Sequence, residues 1–262
     1  MPELVNVILL GIIEGITEFL PISSTGHLLI AEHWLGQRSD LFNTVIQAGA
    51  MVAVTIVYQA RLRSLLINVQ RPENRSYALR LAITFVITVV LGLAAKKAGI
   101  SLPTALAPVA YALILGGVWI LAAEWWASTR KPQEQITWTA AVLVGVAQVI
   151  AGVFPGTSRS AATIFGAMFA GTTDRAAATE FAFLVGIPTM YAASIYEIYD
   201  QSKIGFMDER WGLLGVAFVT SMVVAFVAVK WLLSFIRTHS FVVFAWYRIL
   251  FGSALLAFAT TV

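Results

Sequence analysis

An all-α polytopic membrane protein is the fold class this sequence predicts, with six transmembrane helices and two re-entrant helical hairpins in an inverted-topology (3+3) repeat. Three observations predict it. The 262 residues are 59% hydrophobic and only 12% charged, more apolar surface than a soluble core absorbs. Apolar stretches near spanning length recur between short basic loops. Two polar islands, EGITEFLPISSTGH from Glu14 to His27 and PGTSRSAAT from Pro155 to Thr163, interrupt the pattern at corresponding places in two halves.

Leu4 to Leu20 reads as a short helix, Pro21 with the following Ser-Ser-Thr-Gly breaks it, and a second short helix runs from about His27 to Leu35. Crossing about 30 Å of hydrocarbon takes roughly 20 helical residues, so this pair predicts a hairpin (2–35) that enters and leaves on one side. Spans follow at Leu41 to Tyr58, Tyr77 to Ala95 and Thr104 to Trp126, with Arg61, Arg63, Arg71 and Arg75, then Lys96 and Lys97, in the linkers. After Arg130 and Lys131 the pattern restarts. Ile136 to Phe154 and Ser160 to Ala170 flank the second break in a second hairpin (136–171), and spans follow at Ala176 to Tyr199, Trp211 to Phe235 and Phe241 to Thr261. A single membrane domain (1–262) thus divides into halves 1–130 and 131–262.

The breaks overlay without gaps. LLGIIEGITEFLPISSTG (Leu9 to Gly26) on LVGVAQVIAGVFPGTSRS (Leu143 to Ser160) pairs Glu14 with Gln148, Pro21 with Pro155 and Ser24 with Ser158. A hairpin plus an odd number of spans inverts the second half, and broken helices of inverted repeats build sites near the midplane. Basic loops favour the cytoplasm. With Arg61 to Arg75 inside, Arg130, Lys131, Arg175 and Arg237 fall inside too, while Arg38, Lys96, Lys97, Lys203 and Arg210 fall outside, the last two offset by Asp200, Asp208 and Glu209.

Several function classes drop out. The chain has no cysteine, which removes disulfides, thiolate metal sites and cysteine nucleophiles. The net charge of +3 is scattered through loops, with no basic run to bind nucleic acid. The first apolar stretch follows Glu3 and carries Glu14 and Glu18, unlike a cleaved signal peptide, so the N-terminus is expected in the mature fold.

Ionisable residues at membrane depth point to function. Glu14 and Glu18 are four apart, on one helix face; neighbouring carboxylates repel, and a divalent ion shared with substrate phosphate relieves this. Ser23, Ser24 and Thr25 follow Pro21. One of them serves as a helix cap, and a nucleophile among them needs a base, which Glu18 or His27 supplies. His33 and His239 end apolar stretches and read as interfacial. In the second island Pro155 and Gly156 break the helix, while Ser158, Arg159, Ser160 and Thr163 supply donors. A guanidinium fork matches phosphate oxygens, and helix N-termini attract anions, so this island reads as an anion clamp. A pairing of Arg159 with Glu14 or Glu18 is compatible with that role. Gln47, Gln148, Glu180, Glu197 and Arg248 read first as cross-helix partners. Trp125, Trp126, Trp211 and Tyr199 read as an interfacial belt.

The carboxylate motif EGITE running into PISSTGH, with PGTSRSAAT in second place, resembles the integral-membrane bacitracin-resistance family of undecaprenyl-diphosphate phosphatases over the whole chain. The resemblance implies hydrolysis of undecaprenyl diphosphate to undecaprenyl phosphate and inorganic phosphate, recycling the cell-wall lipid carrier. It also implies a divalent cation (magnesium or calcium), a bacterial plasma (inner) membrane location and a site opening to the outer face. Carried over, Glu14 and Glu18 become acid, base or metal-associated groups, Ser24 the nucleophile and His27 a proton-transfer or phosphate-contacting residue. Arg159 with Ser158, Ser160 and Thr163 becomes the diphosphate clamp, and Ser23, Thr25 and Gly156 are expected to bind substrate with it. Expected partners are the lipid diphosphate and the phospholipid bilayer. Oligomeric state, a homodimer included, stays open. So do the division of labour between Glu18 and His27, direct attack by a metal-activated water in place of Ser24, and a lipid-phosphate transporter or flippase built on the same repeat.

Overall fold

The computed structural model describes residues 2–100, 105–205 and 210–259. The expected span limits Thr104 and Thr261, with Asp208 and Glu209, lie outside the described residues. Among those described there are eleven helices and no strand. The first hairpin is α1 (Glu3–Thr17) and α2 (Ser24–Leu35), the second α7 (Trp138–Val153) and α8 (Arg159–Phe169). Between and after them run α3 (Asp40–Val57), α4 (Gln59–Ile67), α5 (Pro72–Lys97), α6 (Leu106–Ser128), α9 (Arg175–Ile204), α10 (Trp211–Phe235) and α11 (Val242–Ala259).

By length and composition α3, α5, α6, α9 and α10 are able to cross a membrane, so the protein is multi-pass and, over the described residues, all-helical. The sixth expected span corresponds to α11, which is apolar but shorter over its described part. One boundary differs more. The Arg61 to Arg75 linker is no open loop, because QARLRSLLI contains good helix formers and closes into α4, after which Pro72 starts α5 from its first turn. His33 and His239 are exposed.

Each hairpin is tied where its ends meet. Asn6 Nδ2 donates to Leu35 O at 2.9 Å in the first, and Thr137 Oγ1 to Ala170 O at 3.3 Å in the second. At 15, 12, 16 and 11 residues, the four hairpin helices are only about 16–24 Å long. The long helices surround them: α10 packs on α1 and α3, α5 on α7 and α9, α3 on α9, and α6 on α11 and α8.

Small residues and polar ties set these packings, because apolar burial drives little between helices in lipid. Ser221 Oγ on α10 donates to Ile46 O on α3 at 2.8 Å, and beside it a Cβ on Gly49 would lie 2.5 Å from Phe218 O. Gly49→Ala is therefore expected to cost about 1–3 kcal/mol, seen as a lower thermal midpoint in detergent; an unchanged midpoint would mean α3 and α10 separate freely. At the other end, buried Glu124 of α6 accepts from Arg175 Nη2 (2.6 Å) and Nε (2.9 Å) of α9 and from the Phe241 N–H (2.8 Å) that leads into α11.

Candidate active site

The site is built where the hairpins break. Helix α1 ends at Thr17, and the chain turns through 18–23 before α2 begins at Ser24, earlier than the expected start near His27. In the second hairpin the turn is 154–158, one residue shorter. Ser23 (φ 75°) and Ser158 (φ 68°) are the two non-glycine residues with left-handed backbone among those described. That conformation is unfavourable with a side chain, and here each serine offsets it by capping: Ser23 Oγ accepts from Gly26 N–H (3.4 Å) and Ser158 Oγ from Ala161 N–H (3.3 Å). By position in the break, Ser23 corresponds to Ser158 and Ser24 to Arg159. The gapless overlay, which pairs Ser24 with Ser158, is thus corrected by one residue.

Freed from capping, Ser24 points back across the turn. Its hydroxyl donates to Glu18 Oε2 at 2.6 Å, and Arg159 Nη2 lies 3.5 Å from Glu18 Oε1. The hairpins also touch directly, since Ser160 Oγ donates to Leu20 O at 3.1 Å and contacts Ser158 Oγ at 3.1 Å. Thr163 Oγ1 donates to Arg159 O at 2.8 Å, which fixes the first turn of α8. The structure therefore brings Ser24, Glu18, Arg159, Ser158, Ser160 and Thr163 together. Thr25 is exposed on the first turn of α2. Gly156 (φ 89°) sits so close to α6 that a Cβ would lie 2.8 Å from Val109 O.

Glu14 is one turn behind Glu18 and 1% exposed, and neither of its carboxylate oxygens has a hydrogen-bond partner. An unsatisfied buried carboxylate beside a second one suits a bound cation. His27 is directed elsewhere. Nδ1 lies 2.7 Å from Ser23 O and Nε2 2.7 Å from Tyr247 OH, with the ring stacked on Phe251. A carbonyl only accepts, so Nδ1 donates to Ser23 O, while Nε2 shares a hydrogen bond with the Tyr247 hydroxyl. Both nitrogens are engaged away from Ser24. The sequence carries no signal for Tyr247, one aromatic among many in an apolar stretch.

Glu18, Arg159, Ser160, Thr163 and Gln148 line a cavity of about 20 Å³ at the breaks. Arg159 and Gln148 also line a groove of about 880 Å³, which runs between α5 and α9 to Lys96, Ile100, Tyr196 and Glu197. Gln148 spans that groove's base as a cross-helix partner, donating to Thr88 Oγ1 (3.1 Å) and accepting from Thr189 Oγ1 (2.9 Å). Glu180 pairs with Arg61 at 2.9 Å, well away from the breaks.

The family model described as bacitracin resistance protein BacA matches residues 7–254. The chain is 60% identical over 260 residues to the undecaprenyl-diphosphatase of Rhizobium etli (strain CIAT 652), covering 99% of this chain and 98% of that one. It is 55% identical over 261 residues to the undecaprenyl-diphosphatase of Xylella fastidiosa (strain 9a5c), covering 99% and 100%, and 54% identical over 257 residues to that of Xanthomonas oryzae pv. oryzae (strain PXO99A), covering 98% and 97%. With both polar breaks inside the matched region, this chain belongs to the bacitracin resistance protein BacA family.

Proposed function

We propose that the protein is an undecaprenyl-diphosphatase of the bacterial plasma membrane, hydrolysing undecaprenyl diphosphate to undecaprenyl phosphate and inorganic phosphate and so recycling the cell-wall lipid carrier. The observation that carries this reading chemically is the Ser24 hydroxyl 2.6 Å from Glu18, with Arg159 at the other oxygen of the same carboxylate.

The architecture we infer is an inverted 3+3 repeat with both hairpins re-entrant. Exchanging the halves, α1 for α7, α3 for α9, α5 for α10 and α6 for α11, turns the α1–α10 contact into α7–α5 and α3–α10 into α9–α5, while α3–α9 and α6–α11 map onto themselves. The groove opens at the Lys96 end of α5, opposite the arginine-rich segment 61–75, so the positive-inside rule turns it outward. Its apolar walls take the start of the isoprenoid chain, and the diphosphate lies at the breaks.

In the reaction, Ser24 Oγ attacks the terminal phosphorus as its proton passes to Glu18. The bond from that phosphorus to the bridging oxygen breaks, and undecaprenyl phosphate leaves with the electron pair and takes the proton from Glu18. A water then attacks the phosphoserine; Glu18 accepts its proton and returns it to Ser24 as inorganic phosphate departs. Arg159 and the N–H groups opening α2 and α8 hold the phosphoryl oxygens, where charge stabilisation is the main demand. Glu14, with Glu18 one turn on, would hold magnesium or calcium, which supplies compensating charge for carboxylates and phosphoryl oxygens together. Purified protein in detergent is expected to release phosphate from undecaprenyl diphosphate, about tenfold or more slowly with a chelator present, with recovery on adding back magnesium or calcium. A pure transporter releases none, and that result would overturn the reading.

A further inference from the structure

Arg248 lies in the middle of α11 with no exposure, and it forms no ion pair among the described residues. Four backbone carbonyls satisfy its guanidinium instead. Nη1 donates to Pro21 O at 3.2 Å, Nη2 to Gly156 O at 3.0 Å and Ala112 O at 3.0 Å, and Nε to Leu113 O at 3.2 Å. Pro21 and Gly156 belong to the two helix breaks, while Ala112 and Leu113 are successive residues of α6. One side chain therefore ties the first break, the second break and a long helix together.

The chemistry asks for arginine. Carbonyls in a helix break lack their intrahelical partners, and an unsatisfied one at membrane depth is costly. A guanidinium presents five N–H donors in a rigid plane and reaches carbonyls on three segments at once; an ammonium is a point charge on a flexible stem. The fold makes room for that plane. A Cβ on Gly116 of α6 would lie 2.0 Å from Arg248 Nη2. Spacing links the tie to the site: Ser24 lies three residues after Pro21, and Arg159 three residues after Gly156.

We infer that Arg248 is a positioning residue of the phosphatase reaction: it brackets the two helix breaks through Pro21 O and Gly156 O and so sets Ser24 and Glu18 against Arg159. This rests on the phosphatase reading. Misplacing reacting groups by about 1 Å costs on the order of 10²-fold in rate. Arg248→Lys, which keeps the charge and loses the fork, is expected to lower kcat about 100-fold while KM stays within about threefold. Gly116→Ala displaces the guanidinium without touching either break and is expected to lower kcat about tenfold. The double variant should be no slower than Arg248→Lys alone, because both act on one tie. Wild-type kcat in Arg248→Lys, a loss seen wholly in KM, or additive effects in the double variant would each overturn the inference.

A readout independent of activity separates this from the phosphatase reading. The chain has no cysteine, so nitroxides on Thr25→Cys and Thr157→Cys report the distance between the breaks in full-length protein. A narrow distribution that broadens with Arg248→Lys supports the bracket whether or not phosphate is released. Equal widths overturn it, and absent wild-type hydrolysis overturns only the phosphatase reading.

Discussion

Ser24→Ala is expected to lower phosphate release from undecaprenyl diphosphate by on the order of 10³-fold or more, with the protein still folded. Ser24 is the hydroxyl of its island that capping leaves free, since Ser23 holds the N-cap and Thr25 is exposed. Its 2.6 Å bond to Glu18 places donor and base in one contact, the arrangement an activated nucleophile needs. Removing the hydroxyl leaves Glu18 Oε2 short of a partner, a loss of about 1–3 kcal/mol that a thermal melt will register but that does not explain a 10³-fold kinetic effect in a folded protein. Acid-quenched single-turnover samples of the wild type should contain phosphoserine at position 24. If Ser24→Ala keeps single-turnover hydrolysis within about tenfold of wild type, water attacks directly and the covalent route is wrong.

Arg159→Lys should fall nearly as far, by about 10²-fold or more in kcat, although it conserves charge. The guanidinium is half-exposed and stands 3.5 Å from Glu18, longer than a close ion pair, so its donors stay available to a second anion. It lines both the small cavity and the large groove, where the proposed reading puts phosphate and lipid. A lysine restores the Coulomb attraction to Glu18 but not two parallel hydrogen bonds to a phosphoryl group. Near-normal kcat in this variant would remove Arg159 from the clamp and leave it only an ion-pair partner of Glu18.

Much of this was legible in the sequence because lipid leaves few options. Carboxylates at Glu14 and Glu18, or the arginine at Arg159, inside apolar stretches demand partners, and Glu18 and Arg159 find each other across the two islands. Placement at the ångström scale was not legible. Residue identity aligns Ser24 with Ser158, whereas the backbone aligns Ser23 with Ser158, because α7 runs two residues further than α1 in that overlay while its break is one residue shorter, and the left-handed cap marks the correspondence. His27 reads from its spacing as a base for Ser24, yet its ring turns to Ser23 O and to Tyr247, 220 residues away. No local pattern announces such a partner. Arg248 reads as one more polar residue to pair across helices; that it pairs with four carbonyls and no acid follows from three segments meeting only in the folded chain.

The bracket has a place in time as well as in space. Arg248 sits in α11, the last helix among the described residues, so a ribosome has delivered both helix breaks to the membrane before the residue that joins them. Until α11 packs beside α6, the carbonyls of Pro21 and Gly156 lack their shared donor, and the contacts of Ser160 with Leu20 and of Arg159 with Glu18 are left to hold the two breaks in register. On the positioning role inferred for Arg248, the reacting groups reach their working geometry once α11 is in place.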